Sequence, residues 1–287
     1  MKNFDIIKRH NKIIELGDLT EHGKNCESYK NEFIDANSIN LELDDIIYRI
    51  FSIDKFKKTL INKKLCLVRP TKWQDPFENF LLNSTGQLKD GTLVGFSGIR
   101  DKYYGQCWTL KKECDGLWRN YKGTEPSAIK VKTTVRKLMN EFYDLTNKFH
   151  ELSYFIGKVD YVTDTEIENY FKNEIDIMNF QSGVEFAQTL LIKRHSFAYE
   201  EEVRIIFSKP STNEIDLNTI KNPWDESDLF FINIDPNKLF DEIEIDPWLP
   251  TNEYENLKQE LIKMGFTGNI TRSSLYDKPF FVTKIRI

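Results

Sequence analysis

The sequence predicts an α+β domain, and three patterns carry that expectation. Strand-like and helix-like segments follow one another without a regular βα alternation, which argues against a doubly wound parallel sheet. Apolar residues recur at three- and four-residue spacing in some segments and alternate in others. No internal repeat, Gly/Ser linker or low-complexity block divides the chain. A length of 287 residues allows one large domain or two smaller ones. We place the core domain at 45–287 and treat 1–44 as an N-terminal extension, polar and broken by Gly17 and Gly23.

Taken in order, residues 4–16 can hold a short helix within that extension, and DDIIYRIF, residues 44–51, is rich in strand formers. Ser52 then stands where a helix N-cap belongs, and Ile53, Phe56, Leu60 and Ile61 give residues 53–62 an amphipathic helical face. Residues 65–68 form a second short strand, stopped by Arg69-Pro70, and TKWQDPFEN, residues 71–79, follows as a turn-rich loop. The glycine-bearing stretch 83–102 is expected to be mobile or hairpin-like. Strands are expected over 106–110, 128–131 and 158–162, with a short turn or helix over 117–121. Helix formers dominate 134–152 and 164–191. Further strands are expected over 197–207, 229–234 and 242–245. Residues 253–264 form an amphipathic helix ended by Gly265, and FFVTKIRI closes the chain as an alternating strand.

Composition narrows the function. Hydrophobic residues make up 40% of the chain, including 21 Phe, which is ample for a packed core. No apolar run approaches the ~20 residues of a membrane span, and the charged start does not resemble a secretory signal. Four cysteines are too few for a disulfide framework and point to a reducing cytoplasm. Cys107 and Cys114 lack a second pair at metal spacing, so no metal site is expected. A net charge of -5 argues against coating nucleic acid with the whole surface, though Lys55, Lys57, Lys58, Lys63 and Lys64, or Lys130, Lys132, Arg136 and Lys137, allow a local basic groove, the plain reading of both runs being a solvated face.

The segment FAYEEEVRIIF, residues 197–207, carries the most chemistry. As a strand it would alternate its faces. Val203, Ile205 and Phe207 would then enter the core while Glu200, Glu202 and Arg204 share the other face. The plain alternative is a solvated strand edge guarded by charge. Two other strands also hold an unusual polar residue among apolar neighbours: Arg49 in IIYRIFS and Thr109 in QCWTL.

In chain order these positions give Arg, Thr and Glu-x-Glu, and the chain resembles the ADP-ribosyltransferase superfamily. It is also similar to the bacterial domain-of-unknown-function family 2971, through IYRIFS (47–52), WQDPFEN (73–79), QCWT (106–109), LWRNYKG (117–123) and the glutamate strand. The first resemblance implies a mixed-sheet core with flanking helices and NAD as substrate. It implies that Glu202 stabilises the cation that develops at the ribose, with Glu200 orienting or deprotonating the acceptor. Arg49 would meet the pyrophosphate or a ribose hydroxyl, and Thr109 the ribose or the strand backbone. Trp118 and Tyr121 would wall the nicotinamide or the base, the alternative for both being ordinary core packing. Arg204 is expected to act as the salt-bridge partner that keeps a glutamate ionised. The acceptor would be nucleic acid or protein, and the role that of a bacterial toxin or anti-phage defence effector, with an antitoxin or defence-system partner.

Two rival readings stand beside it. Asp75, Glu78, Glu200 and Glu202 would gather magnesium in a nuclease, aided by Lys193. A charged strand would equally serve a non-catalytic module that binds a basic partner. For the loop 73–79 we expect a structural pin, and for Lys193, Arg194 and His195 a solvent-exposed basic cluster.

Overall fold

The computed structural model describes residues 27–73, 75, 77–143, 154–172, 184–208 and 228–285. The helix expected over 4–16 lies outside them. The strands are β1 Ser38–Ile39, β2 Ile46–Ser52, β3 Lys64–Val68, β4 Thr85–Gln87, β5 Leu93–Gly95, β6 Tyr103–Thr109 and β7 Ala128–Thr134. They continue with β8 Tyr154–Lys158, β9 Asp160–Val162, β10 Ile192–Arg194, β11 Glu202–Ser208, β12 Leu229–Asn233, β13 Glu242–Ile245 and β14 Asn269–Arg272.

Ten of these strands form one mixed sheet in the order β1-β8-β11-β6-β2-β7-β13-β14, with β3 attached to β6 and β12 to β3. The architecture is α+β, as the intermixed pattern predicts. Strand β6 is where the sheet forks. It meets β2 through Tyr48 and Thr109 at one end, and β3 through Val68 and Gly105 at the other. Between those pairings a seam opens beside residues 106–108. Side chains replace ladder bonds there: Gln106 Nε2 donates to the Cys66 carbonyl at 3.0 Å, and Arg49 Nη1 donates to the Cys107 carbonyl.

The sheet is buried on both faces at its centre. Val203, Ile205 and Phe207 join Ile47, Tyr104 and Trp108 in the larger core, the face the alternation predicts. Ile206 joins Tyr103, Leu81, Phe155 and Leu191 in a second core on the opposite face. The face expected to be polar is therefore enclosed. Its charges have to find one another, because burial takes them out of bulk solvent.

The helix Ile53–Asn62 forms where the spacing predicts and buries Phe56 and Leu60, although the Ser52 side chain makes no capping bond. Thr251–Lys263 is the helix expected before Gly265, whose φ of +93° is the left-handed stop that glycine permits. Residues 27–39 pack into the domain through the helix Glu27–Ala36, with Phe33 and Ile34 in the core, and β1 pairs with β8. Two expectations change. Residues 195–200 are a 3-10 turn rather than the start of β11, and the segment containing Phe280, Phe281 and Val282 lies exposed without a strand partner. Alternation identifies a strand only where a neighbouring strand is available, and among the described residues none pairs with that segment.

Candidate active site

Strand β11 places Glu202 and Arg204 at the middle of the sheet, between β6 and β8. Glu202 is 1% exposed and Arg204 is fully enclosed. Arg204 grips the Glu202 carboxylate with both ends of its fork, Nε at 2.9 Å and Nη2 at 3.0 Å, and its Nη1 donates to the Leu190 carbonyl at 2.6 Å. This bidentate geometry suits guanidinium and no other side chain.

Glu200 reaches the same point by another route. It ends the 3-10 turn His195–Glu200, and Glu201 follows at φ +42°, a left-handed position that a non-glycine residue occupies at a cost of about 1–2 kcal/mol. That turn brings the Glu200 carboxylate back beside Glu202. Thr109 holds it in place: its hydroxyl donates to the Glu200 carbonyl at 2.5 Å, and the Leu110 N–H donates to the Glu201 carbonyl at 3.0 Å.

The fourth and fifth members come from elements that sequence reasoning expected to be a solvent-exposed cluster and a structural pin. Lys193, on β10, sets its ammonium 2.5 Å from Glu200, 3.0 Å from Glu202 and 3.0 Å from Glu78. Glu78, from the WQDPFEN loop, also accepts from Arg204 Nη2 at 2.7 Å. Lys193 and Arg194 are thus not a solvent-exposed cluster. Lys193 is buried, and Arg194 makes a fork to Asp75 at 2.9 and 3.1 Å. The loop is pinned by aromatic faces as well, with Arg204 over Trp73 at 4.4 Å and Arg194 over Phe77 at 4.4 Å. The apolar run Leu190-Leu191-Ile192 just before Lys193 was the available sign that this lysine enters the interior.

The charges do not balance. Glu78, Glu200 and Glu202 face Lys193 and Arg204, so three carboxylates share two cations. Burial alone would raise the Glu202 carboxyl, but Arg204 and Lys193 reverse this and hold it at about 2. Glu200 goes the other way. Burial raises it, Lys193 opposes, and the neighbouring Glu202 and Glu78 push it further up. Opposite shifts in adjacent carboxyls separate a permanent anion from a proton carrier. The Cys107 thiol bonds to Glu202, and burial, followed by that carboxylate, raises it well above the ordinary thiol range.

The other predicted residues divide. Trp118 is 0% exposed, packed with Ile50 and Ala128, and its indole N–H donates to Glu113 at 2.6 Å. It is a core residue and not a cleft wall, because its helix turns that face onto β2 and β7. Thr109 spends its hydroxyl on backbone, and Arg204 is a clamp rather than a ligand-facing group. Tyr121 is half-buried and lies near Cys107, Glu202, Glu200 and Arg49; burial first, then Cys107 and the two glutamates, push its hydroxyl upward, and Arg49 opposes them. Arg49 sits in the seam, and its Nε is buried without a hydrogen-bond partner.

Outside the seam lies a cavity of about 680 Å³ lined by Arg49, Lys55, Lys58 and Lys64, with Phe51 and Phe231 among its apolar walls and no carboxylate. Among the described residues, no group of three or more His, Cys, Asp or Glu is placed to hold a metal ion.

No protein-family model matches the chain, so its likeness to family 2971 rests on the motifs alone, and no curated protein matches it. Three solved structures of DarT from Thermus sp. 2.9 are similar in outline. The complex with carba-NAD+ is 8% identical with a TM-score of 0.35, covering 81% of this chain and 97% of that one. The complex with NAD+ is 11% identical with a TM-score of 0.36, covering 82% and 98%. The complex with ADP-ribosylated ssDNA is 10% identical with a TM-score of 0.34, covering 80% and 94%. A likeness at this level lends no residue a role, and the chemistry has to be argued from the site.

Proposed function

We propose that the chain is an ADP-ribosyltransferase-like enzyme that consumes NAD and modifies a nucleic-acid acceptor. The observation that carries this reading is the buried charge imbalance of Glu78, Glu200 and Glu202 against Lys193 and Arg204. An uncompensated buried charge is costly, and a site that keeps one is complementary to a cation. The nicotinamide end of NAD is cationic, and the ribose becomes so as its bond to nicotinamide breaks.

In this mechanism the bond between the ribose C1′ and the nicotinamide nitrogen breaks, its electron pair leaving with nicotinamide. Glu202, ionised at any ordinary pH, stabilises the ribosyl cation. Its weakest partner is the Cys107 thiol, a poor donor, and a ribose hydroxyl takes that place. A lone pair of the acceptor then bonds to C1′, and its proton passes to Glu200, whose raised affinity suits a general base. Arg49, with an unused Nε in the seam between cavity and carboxylates, meets the pyrophosphate. Thr109 and Arg204 hold the two glutamates, and Tyr121 borders the reacting end.

The cavity supports the acceptor assignment. Lys55, Lys58 and Lys64 offer cations without a competing carboxylate, and half-exposed Phe231 offers a stacking face, the combination that holds single-stranded nucleic acid. A toxin or defence effector is the role the family resemblance implies, with an antitoxin partner and a cytoplasmic location as corollaries. The magnesium nuclease is the weaker reading, since the Lys193 ammonium already occupies the point between the three carboxylates and Asp75 is turned to Arg194.

Labelled NAD supplied with single-stranded oligonucleotides or with lysate protein tests the acceptor. Label on the oligonucleotide, lost in Lys55→Glu/Lys58→Glu, supports the proposal. Label on protein alone overturns the acceptor assignment, and no label with no nicotinamide released overturns the enzyme.

A further inference from the structure

We propose that Glu78 is a positioning residue that acts through Lys193 and Arg204 to leave the Glu200–Glu202 pair one cation short. This rests on the transferase reading above and assigns the loop a part in it. Glu78 touches both cations of the site, Lys193 Nζ at 3.0 Å and Arg204 Nη2 at 2.7 Å, and is itself buried. Without its charge the site holds two carboxylates and two cations and is neutral. With it these five contacting side chains carry one negative charge in excess, which faces Arg49 and suits a cationic ribose. The loop cannot drift from this task. Asp75 is held by the Arg194 fork, Trp73 lies under Arg204, and Gly105 of β6 passes so close to Trp73 that a Cβ there would meet its ring at 2.7 Å.

The same sharing governs Glu200. The groups facing it are Lys193 from β10, Glu202 from β11, Glu78 from the loop, Tyr121 from the helix Asp115–Lys122 and Tyr161 from β9. Lys193 is its counter-ion, and Glu78 draws on that ammonium while adding repulsion of its own. Glu78→Gln keeps the shape and removes both effects.

The test is the pH profile of kcat/KM for NAD in wild type, Glu78→Gln and Glu78→Asp. Glu78→Gln is expected to lose about 10- to 100-fold, the range for groups that brace the ligands of metal sites from behind, and to shift its acid limb to lower pH. Glu78→Asp restores the charge and returns the limb to the wild-type position. A wild-type limb and rate in Glu78→Gln overturn the proposal. A second readout is independent of turnover. A carboxyl raised in the folded state contributes stability at low pH that is lost as pH rises through its raised value. Wild type therefore loses stability from the ordinary glutamate range upward, and Glu78→Gln loses less. Equal losses in both proteins contradict charge sharing whether or not NAD is turned over, while an inactive wild type with the predicted difference contradicts only the transferase reading.

Discussion

Glu202 and Glu200 lie two positions apart and do opposite things because of what surrounds them. Glu202 is gripped by Arg204 and Lys193 and stays ionised, while Glu200 shares Lys193 with two other carboxylates and takes up a proton at higher pH than an ordinary glutamate. Removing a carboxylate and removing a cation should therefore differ sharply. Glu202→Gln leaves two carboxylates to two cations and is expected to fold. Arg204→Met leaves three carboxylates to one cation, buried, and is expected to lose about 3–5 kcal/mol in denaturant unfolding. The pH dependence at the acid end follows from Glu202. Its folded-state value of about 2 lies below that of an unfolded glutamate, so it contributes stability that is present above the ordinary range and disappears as pH falls towards 2. Acid unfolding of wild type should steepen in that window, and Glu202→Gln should show a shallower decline. At this scale the sequence named both glutamates and Arg204 as a cluster, because charge in an apolar strand is conspicuous. Glu78 and Lys193 entered only through the rival magnesium reading, because their ion pairs with Glu202 and Arg204 depend on long-range folding.

The elements explain why alternation placed Glu200 beside Glu202 for an incomplete reason. The expectation of one strand over 197–207 places Glu200 and Glu202 on a common face, yet Glu200 belongs to a 3-10 turn and is returned to the site by the left-handed Glu201. A period of two in the sequence has no way to register that turn, which Thr109 fixes from a strand 91 positions away. The loop 73–79 shows the opposite case. Asp75 before Pro76 was legible as a turn initiator, and Trp73 and Phe77 as anchors, but Trp73 meets the site's own Arg204 as well as the second core, and Phe77 meets Arg194. Packing between β6 and this loop is tight enough to test. Gly105→Ala is expected to cost about 1–3 kcal/mol by forcing Trp73 off its place, and to lower activity along with stability. A variant as stable and active as wild type would show that the loop does not depend on this contact.

At the scale of the molecule, the forked sheet joins an acidic centre to a basic cavity, with Arg49 between them. The net charge of -5 conceals this, since total charge says nothing about where the lysines gather. The basic groove was legible only as one of two basic runs, the cluster from Lys130 to Lys137 and the lysines around 55–64. Their convergence on one cavity depends on the helix Ile53–Asn62 packing beside β3, which periodicity predicts but cannot orient. Binding of single-stranded nucleic acid should weaken with salt by about 0.7 in log affinity per log salt for each phosphate neutralised, and Lys55→Glu/Lys58→Glu should reduce that slope. An unchanged slope would place the acceptor elsewhere. The most direct test of the central claim is the release of nicotinamide from NAD by wild type and Glu202→Gln side by side, with single-stranded nucleic acid present. Release by wild type, and its loss by about 100-fold or more in a folded Glu202→Gln, is the predicted result. Equal release by both, or none by wild type, would contradict the account.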